Sequence, residues 1–188
     1  MFMDIAIDSR SVLSEEEFSK AIELALGIQD REKRAAVIFL ALTGCRLGEA
    51  LLVTHGDFAW KDGVYSVVEI PTLKRVGRPR RKVHVVNHGA ATRALFDYWD
   101  SVTDREGPLF TLSRRTLQLE VEKILSQVKP DRVGLAHIFR HTHASRLIAA
   151  GADLTYVRQQ MGWANIEMSK RYVHTPEERI EEVLRRLS

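Results

Sequence analysis

Apolar residues along this chain fall first at a helical spacing and then, for a short stretch, at alternate positions. Ser14 followed three residues later by Glu17 has the form of a capping box and predicts a helix over 15–28. A second helix is predicted over 31–43, ended by Gly44. Its run Ala36, Val37, Ile38, Phe39, Leu40 is apolar nearly all round, which places it in the core. A short helix is expected over 47–52. The period then changes: residues 64–70 and 82–86 are rich in valine, alternate, and read as strands. Between them lies a basic stretch with Gly77 and Pro79 as breakers, the signature of a hairpin or looser β-loop. Helices are expected again near 90–99, 113–128, 138–150, 153–161 and 164–172. Thr175, Pro176 and Glu178 then make another capping box, with proline at the first helical position of a last helix. No repeat, low-complexity tract or Pro/Gly/Ser-rich linker divides the chain. The expectation is one domain over 1–188, mostly α (α+β), a helical bundle with a small antiparallel sheet inserted early.

Length and composition agree with that outline. A chain of 188 residues, 45% hydrophobic and 28% charged, has the make-up of one globular domain. At this size a domain buries roughly 70% of its unfolded surface, enough for a self-sufficient core. The longest apolar run, residues 35–42, falls far short of the ~18 residues of a membrane span. The first residues carry Asp4 and Asp8 and do not resemble a secretory signal. A single cysteine, Cys45, excludes an intramolecular disulfide and fits a reducing compartment. A soluble, cytoplasmic protein is expected.

The net charge of +3 is too mild to identify a partner, but its distribution is informative. Residues 74–82, KRVGRPRRK, hold six cations and no acid. Such a block suits contact with phosphates, whose neutralisation releases counterions; a solvated basic loop is the plainer reading.

Several chemistries lack their motifs. There is no G-x-x-x-x-G-K-[ST] loop and no G-x-G-x-x-G turn, so nucleotide hydrolysis and dinucleotide binding have no support. His137 and His141 have ligand spacing on a predicted helix, but Ile138 stands where a zinc-protease helix needs Glu, and no metal is expected. Cys45 beside Arg46 reads as a packing residue rather than a nucleophile.

Cleavage of a phosphodiester without metal or ATP would make particular demands on the side chains. That reaction needs forked guanidinium groups on the non-bridging oxygens, a nucleophile, and a proton donor for the leaving hydroxyl. A tyrosine nucleophile would keep the bond energy in a phosphotyrosine, so that resealing needs no cofactor. In GLAHIFRHTHAS, His137 and Arg140 share a helix face. In TGCRLGE, Arg46 opens a short helix behind a glycine turn, with Glu49 three residues on. In MGWANIEMSKRYVH, Trp163 precedes Tyr172 by nine residues. Each piece alone has an ordinary structural explanation.

Together and in this order the pieces resemble the catalytic domain of the tyrosine recombinases, or phage integrase family. The family pattern is Arg in T-G-x-R-x-x-E, Lys in the β-hairpin, H-x-x-R, a His or Trp, then the nucleophilic Tyr. The matching positions are Arg46, Lys74, His137, Arg140, Trp163 and Tyr172, and the resemblance spans about 12–175. It implies that Arg46 and Arg140 clamp the scissile phosphate and Glu49 holds Arg46. Lys74 would protonate the departing 5′-hydroxyl, His137 would help take the tyrosine proton, and Tyr172 would form the 3′-phosphotyrosyl link. Trp163 stands where many members have His; an indole donates a hydrogen bond but exchanges no proton near neutrality, so it would orient or stabilise the phosphate. Lys82 lies in the same hairpin and is the alternative lysine. Arg75, Arg78, Arg80, Arg81 and Lys82 would contact the DNA backbone or be solvated.

The implied activity is site-specific cutting and rejoining of double-stranded DNA, as integration, excision or inversion, without cofactor, in a prokaryotic or phage setting. A type IB topoisomerase-like enzyme and a non-cutting DNA-binding accessory protein are the alternatives. Most members carry an N-terminal clamp domain, for which only some ten residues precede the first helix here. The chain is expected to be an excised catalytic domain or a short recombinase of the fimbrial invertase kind. Ile180, Val183, Leu184 and Leu187 form an apolar stripe on the last helix, 176–188, which either folds back or docks on a neighbouring subunit of a tetramer on DNA.

Overall fold

The computed structural model describes residues 9–61, 65–73, 77, 79–132 and 137–165. In chain order they form helices α1 (Glu15–Leu26), α2 (Arg31–Thr43) and α3 (Leu47–Ala50). Strands β1 (Phe58–Ala59), β2 (Tyr65–Pro71) and β3 (Arg80–Val86) follow, then helices α4 (Ala90–Ser101), α5 (Arg114–Val128), α6 (Ile138–Ala149) and α7 (Leu154–Met161). The fold is mostly helical with a small antiparallel sheet, as expected.

The helix starts obey their side chains. Ser14 Oγ accepts the Glu17 N–H at 3.1 Å while the Glu17 carboxylate accepts the Ser14 N–H at 2.8 Å, the reciprocal box read from the sequence. Helix α1 then turns Phe18, Ala21, Ile22 and Ala25 inward at i, i+3, i+4, i+7. Helix α2 is buried on every side over residues 35–43 and forms the axis against which α1, α4, α5 and α6 pack.

The sheet has the order β1-β2-β3 with all pairs antiparallel. Its core-facing residues include Val68 and Ile70 of β2 and Val83 and Val85 of β3. Register runs from Tyr65 opposite Val86 to Pro71 opposite Arg80. Two features depart from the sequence reading. Strand β1, with the 3-10 turn His55–Asp57 before it, was not predicted, because two residues are too few to carry a period. Strand β3 begins at Arg80 rather than 82, which moves Arg80 and Arg81 out of the loop. Along β3 burial alternates, and Arg81 falls on an inward position.

The outer edge of β3 is closed by a side chain. Gln160 of α7 accepts the His84 N–H at 3.0 Å and donates to the His84 carbonyl at 2.8 Å, standing in for a neighbouring strand. Between α6 and α7 lies a second apolar cluster, Ala144, Val157, Met161 and Trp163, separate from the main core. No helix among the described residues is long and apolar enough to cross a membrane. The helices expected over 164–172 and 176–188 lie outside the described residues, apart from Ala164 and Asn165.

Candidate functional site

The turn after α2 delivers the first arginine. Thr43 Oγ1 donates to the Phe39 carbonyl at 2.6 Å and accepts the Cys45 N–H at 3.3 Å. Gly44 takes the left-handed conformation, φ +60°, and lies so close to His143 of α6 that a Cβ there would sit 2.7 Å from the His143 Cβ. Glycine is thus required twice over, by the turn and by the approach of α6. Cys45 packs inward, and burial pushes its thiol up to about 12, leaving no thiolate near neutrality. Arg46 follows in extended conformation and starts α3.

Glu49 has no exposed surface and gathers what surrounds it. Its carboxylate accepts the Arg46 backbone N–H at 3.0 Å, Arg46 Nη1 at 2.9 Å and Arg81 Nη2 at 3.0 Å. The Leu73 N–H, at the hairpin end of β2, reaches it at 3.4 Å. Burial alone would raise the Glu49 pKa. The charge and hydrogen bond of Arg81, the Arg46 backbone donor and the Arg46 charge together hold it below the usual carboxylate range.

Arg140, in the first turn of α6, is buried and donates from Nη1 to the Gly44 carbonyl at 3.0 Å and from Nη2 to the Met161 carbonyl at 2.5 Å. It therefore ties the α2–α3 turn to the C-terminal end of α7. Burial first, and then the like charge of Arg46, bring its pKa down to about 10, so it stays protonated at neutral pH. Two guanidinium groups, Arg46 and Arg81, thus bind one carboxylate, and Arg140 lies within electrostatic reach of all three, so that positive charge is in excess by two. An anion with non-bridging oxygens is the natural counterpart of such a group.

Helix α7 ends at Gly162, left-handed at φ +65°, and its carbonyl at Arg158 accepts the Trp163 N–H at 3.0 Å. The turn lays Trp163, 3% exposed, into the second apolar cluster. A cleft of about 450 Å³ opens here, walled by Arg80, Arg81 and Lys82 of β3 and by Arg158, Gly162 and Trp163. His137 stands exposed at the start of α6, its ring 6.2 Å from and edge-on to that of His141.

The structure thus brings Arg46, Glu49, Arg140 and Trp163 into one neighbourhood, with His137 one turn before Arg140 on α6. Lys74 and Tyr172 lie outside the described residues, as do Arg75 and Arg78. Of the cations expected on the DNA backbone, Lys82 is exposed and lines the cleft. Arg80 is half-exposed, pairs with Asp57 and donates to the Glu69 carbonyl at 3.0 Å. Arg81 departs from the expectation: its side chain is 7% exposed and its guanidinium is bound by protein groups, because the strand pleat turns it inward onto Glu49. The sequence reading missed Arg158, whose signal was a cation five residues before Trp163. It also missed Gln160, which gave no signal, since its function depends on a strand edge 76 residues away.

The chain is similar to known proteins in sequence and in fold. Residues 11–179 match the model of the phage integrase family. The tyrosine recombinase XerC of Pelotomaculum thermopropionicum is 28% identical over 177 residues, covering 86% of this chain and 54% of the relative. The crystal structure of the XerH site-specific recombinase bound to difH substrate, a pre-cleavage complex, superposes with a TM-score of 0.76. It is 25% identical and covers 93% of this chain and 53% of that one. The catalytic domain of bacteriophage HP1 integrase shares the fold at a TM-score of 0.66, with 19% identity and 93% of both chains covered. The chain spans about half the length of the XerC, XerH and XerD relatives that it matches.

Proposed function

From the premise that this chain belongs to the phage integrase family, the tyrosine recombinases, we propose that it cuts and rejoins double-stranded DNA at specific sites. The observation that carries the reading is that Arg46 and Arg81 are held on one buried carboxylate with Arg140 fixed beside them by two backbone carbonyls, a set of guanidinium groups with more positive charge than Glu49 offsets.

In this reading Arg46 and Arg140 hold the non-bridging oxygens of the scissile phosphate and offset the charge that builds on them in the transition state. The Tyr172 hydroxyl attacks phosphorus as His137 helps take its proton; the bond from phosphorus to the 5′-oxygen breaks; and Lys74 gives that oxygen a proton. The products are a 3′-phosphotyrosyl link and a free 5′-hydroxyl. Attack by a 5′-hydroxyl of a partner strand reverses the steps, so no ATP is consumed. Trp163 donates only, and acid–base chemistry falls to the lysine and His137. Lys82, exposed in the cleft, is the second candidate for the lysine. Arg75, Arg78, Arg80, Lys82 and Arg158 contact flanking phosphates. The 176–188 segment links subunits into a tetramer on DNA. Such a protein works on chromosomal or mobile-element DNA in a prokaryotic cytoplasm.

Arg46→Lys and Arg140→Lys test the clamp. Each keeps a charge and loses the fork, and each is expected to slow strand cleavage by ~10²–10³-fold while duplex affinity changes much less. Equal loss of cleavage and binding would remove the clamp reading. Relaxation of plasmids of unrelated sequence would instead indicate a topoisomerase-like activity.

A further inference from the structure

We propose that Arg81 is a positioning residue of the phosphate clamp, locking α3, the hairpin base and α7 around Glu49. The proposal rests on the strand-transfer reading above and deepens it. An arginine in a basic hairpin is expected to face DNA, yet this one is all but hidden: Nε donates to the Gln160 carbonyl at 3.1 Å, Nη1 to Thr72 Oγ1 at 3.1 Å and to the Pro71 carbonyl at 3.4 Å, and Nη2 to Glu49 at 3.0 Å. A buried guanidinium with a matched carboxylate and three further acceptors is a built site rather than a solvated charge.

Each of its partners adjoins a group that the reaction needs. Glu49 holds Arg46 by side chain and backbone. Pro71 and Thr72 lead through Leu73, itself bonded to Glu49, into Lys74. Gln160 precedes Met161, whose carbonyl anchors Arg140, and Trp163 follows two residues on. The fit is close: a Cβ on Gly162 would sit 2.9 Å from Arg81 Nε. Without Arg81, Glu49 Oε2 loses the charge that opposes Arg46. The carboxylate is then free to turn fully onto Arg46 and draw that guanidinium away from the phosphate. Arg81 thus acts on the substrate only through Glu49 and Arg46.

The test uses the full chain and a synthetic duplex copied from DNA that the wild-type protein captures covalently in cells. Single-turnover cleavage at saturating duplex, duplex affinity and thermal melting are measured for the wild type, Arg81→Met, Arg81→Lys, Glu49→Gln and the Arg81→Met/Glu49→Gln pair. Arg81→Met is expected to slow cleavage ~10–100-fold with affinity held within ~3-fold, as misplacing a clamp by about an ångström does. The pair is expected to be no slower than its slower single member, because both changes empty one contact. Arg81→Lys, which reaches Glu49 but not all the other acceptors at once, is expected to recover part of the rate, and it carries the test if Arg81→Met fails to fold. Cleavage by folded Arg81 variants at the wild-type rate, losses that multiply in the pair, or affinity falling in step with rate would each overturn the positioning role. Absence of any covalent adduct with wild type would overturn the strand-transfer reading itself, and this proposal with it.

Discussion

At Glu49 a carboxylate with no exposed surface accepts two donors from Arg46 and one from Arg81, and the Leu73 N–H besides. Removing its charge leaves the guanidiniums unmatched, and breaking a buried pair of this kind costs about 3–5 kcal/mol. Glu49→Gln is therefore expected to lower stability by about that much in denaturant melts, and to slow cleavage further than a loss of folded protein explains. A second buried group makes an independent prediction. His143 packs against Gly44 with no hydrogen-bond partner for Nε2, and burial, then the charges of Arg146 and Arg140, bring its pKa from 6.5 to about 4. Between those values the unfolded chain binds the proton and the folded one does not, so this contribution is complete above pH 6.5 and shrinks as pH falls towards 4. The change amounts to about 3 kcal/mol. His143→Leu should flatten the stability curve across that window; an unchanged slope would show that the histidine is not held neutral. The identities of Arg46, Glu49 and Arg140 were legible in the sequence because each stands in a short motif. The inward turn of Arg81 was not, since a basic block reads as solvent-facing until its strand register is known.

Among elements, the helices were the most legible. The Ser14–Glu17 box and the apolar run of α2 state their limits locally, and α2 ends at Gly44 as expected. What escaped depended on contacts between elements distant in sequence: β1, which exists only by pairing with β2, and the closure of the β3 edge by Gln160. That closure is testable. Gln160→Leu fills a similar volume but leaves the His84 N–H and carbonyl unpaired, and a loss of about 2–4 kcal/mol is expected from the two orphaned groups. Hydrogen exchange at the His84 amide should speed up more than at Val68 in the middle strand. Equal protection would mean that α7 does not seal the edge. Gly44→Ala is expected to cost at least as much, because it meets both a left-handed backbone and the His143 side chain.

On the scale of the molecule, the layout puts the arginine cluster where the α2–α3 turn, the hairpin base and the ends of α6 and α7 converge, with Lys82 and Arg158 along the adjoining cleft. Duplex binding should weaken steeply with salt. Lys82→Ala and Arg158→Ala should each reduce the slope of log affinity against log salt by about 1 if each meets a phosphate. Slopes equal to that of the wild type would take those side chains off the DNA. The central claim is strand transfer through Tyr172, and covalent capture tests it most directly. The wild-type chain and its Tyr172→Phe variant are expressed in cells, denatured rapidly, and any DNA bound covalently to the protein is recovered and sequenced. Adducts with recurrent ends from the wild type, and none from Tyr172→Phe, are the expected result. Adducts from both proteins, or from neither while both bind duplex in solution, would contradict it.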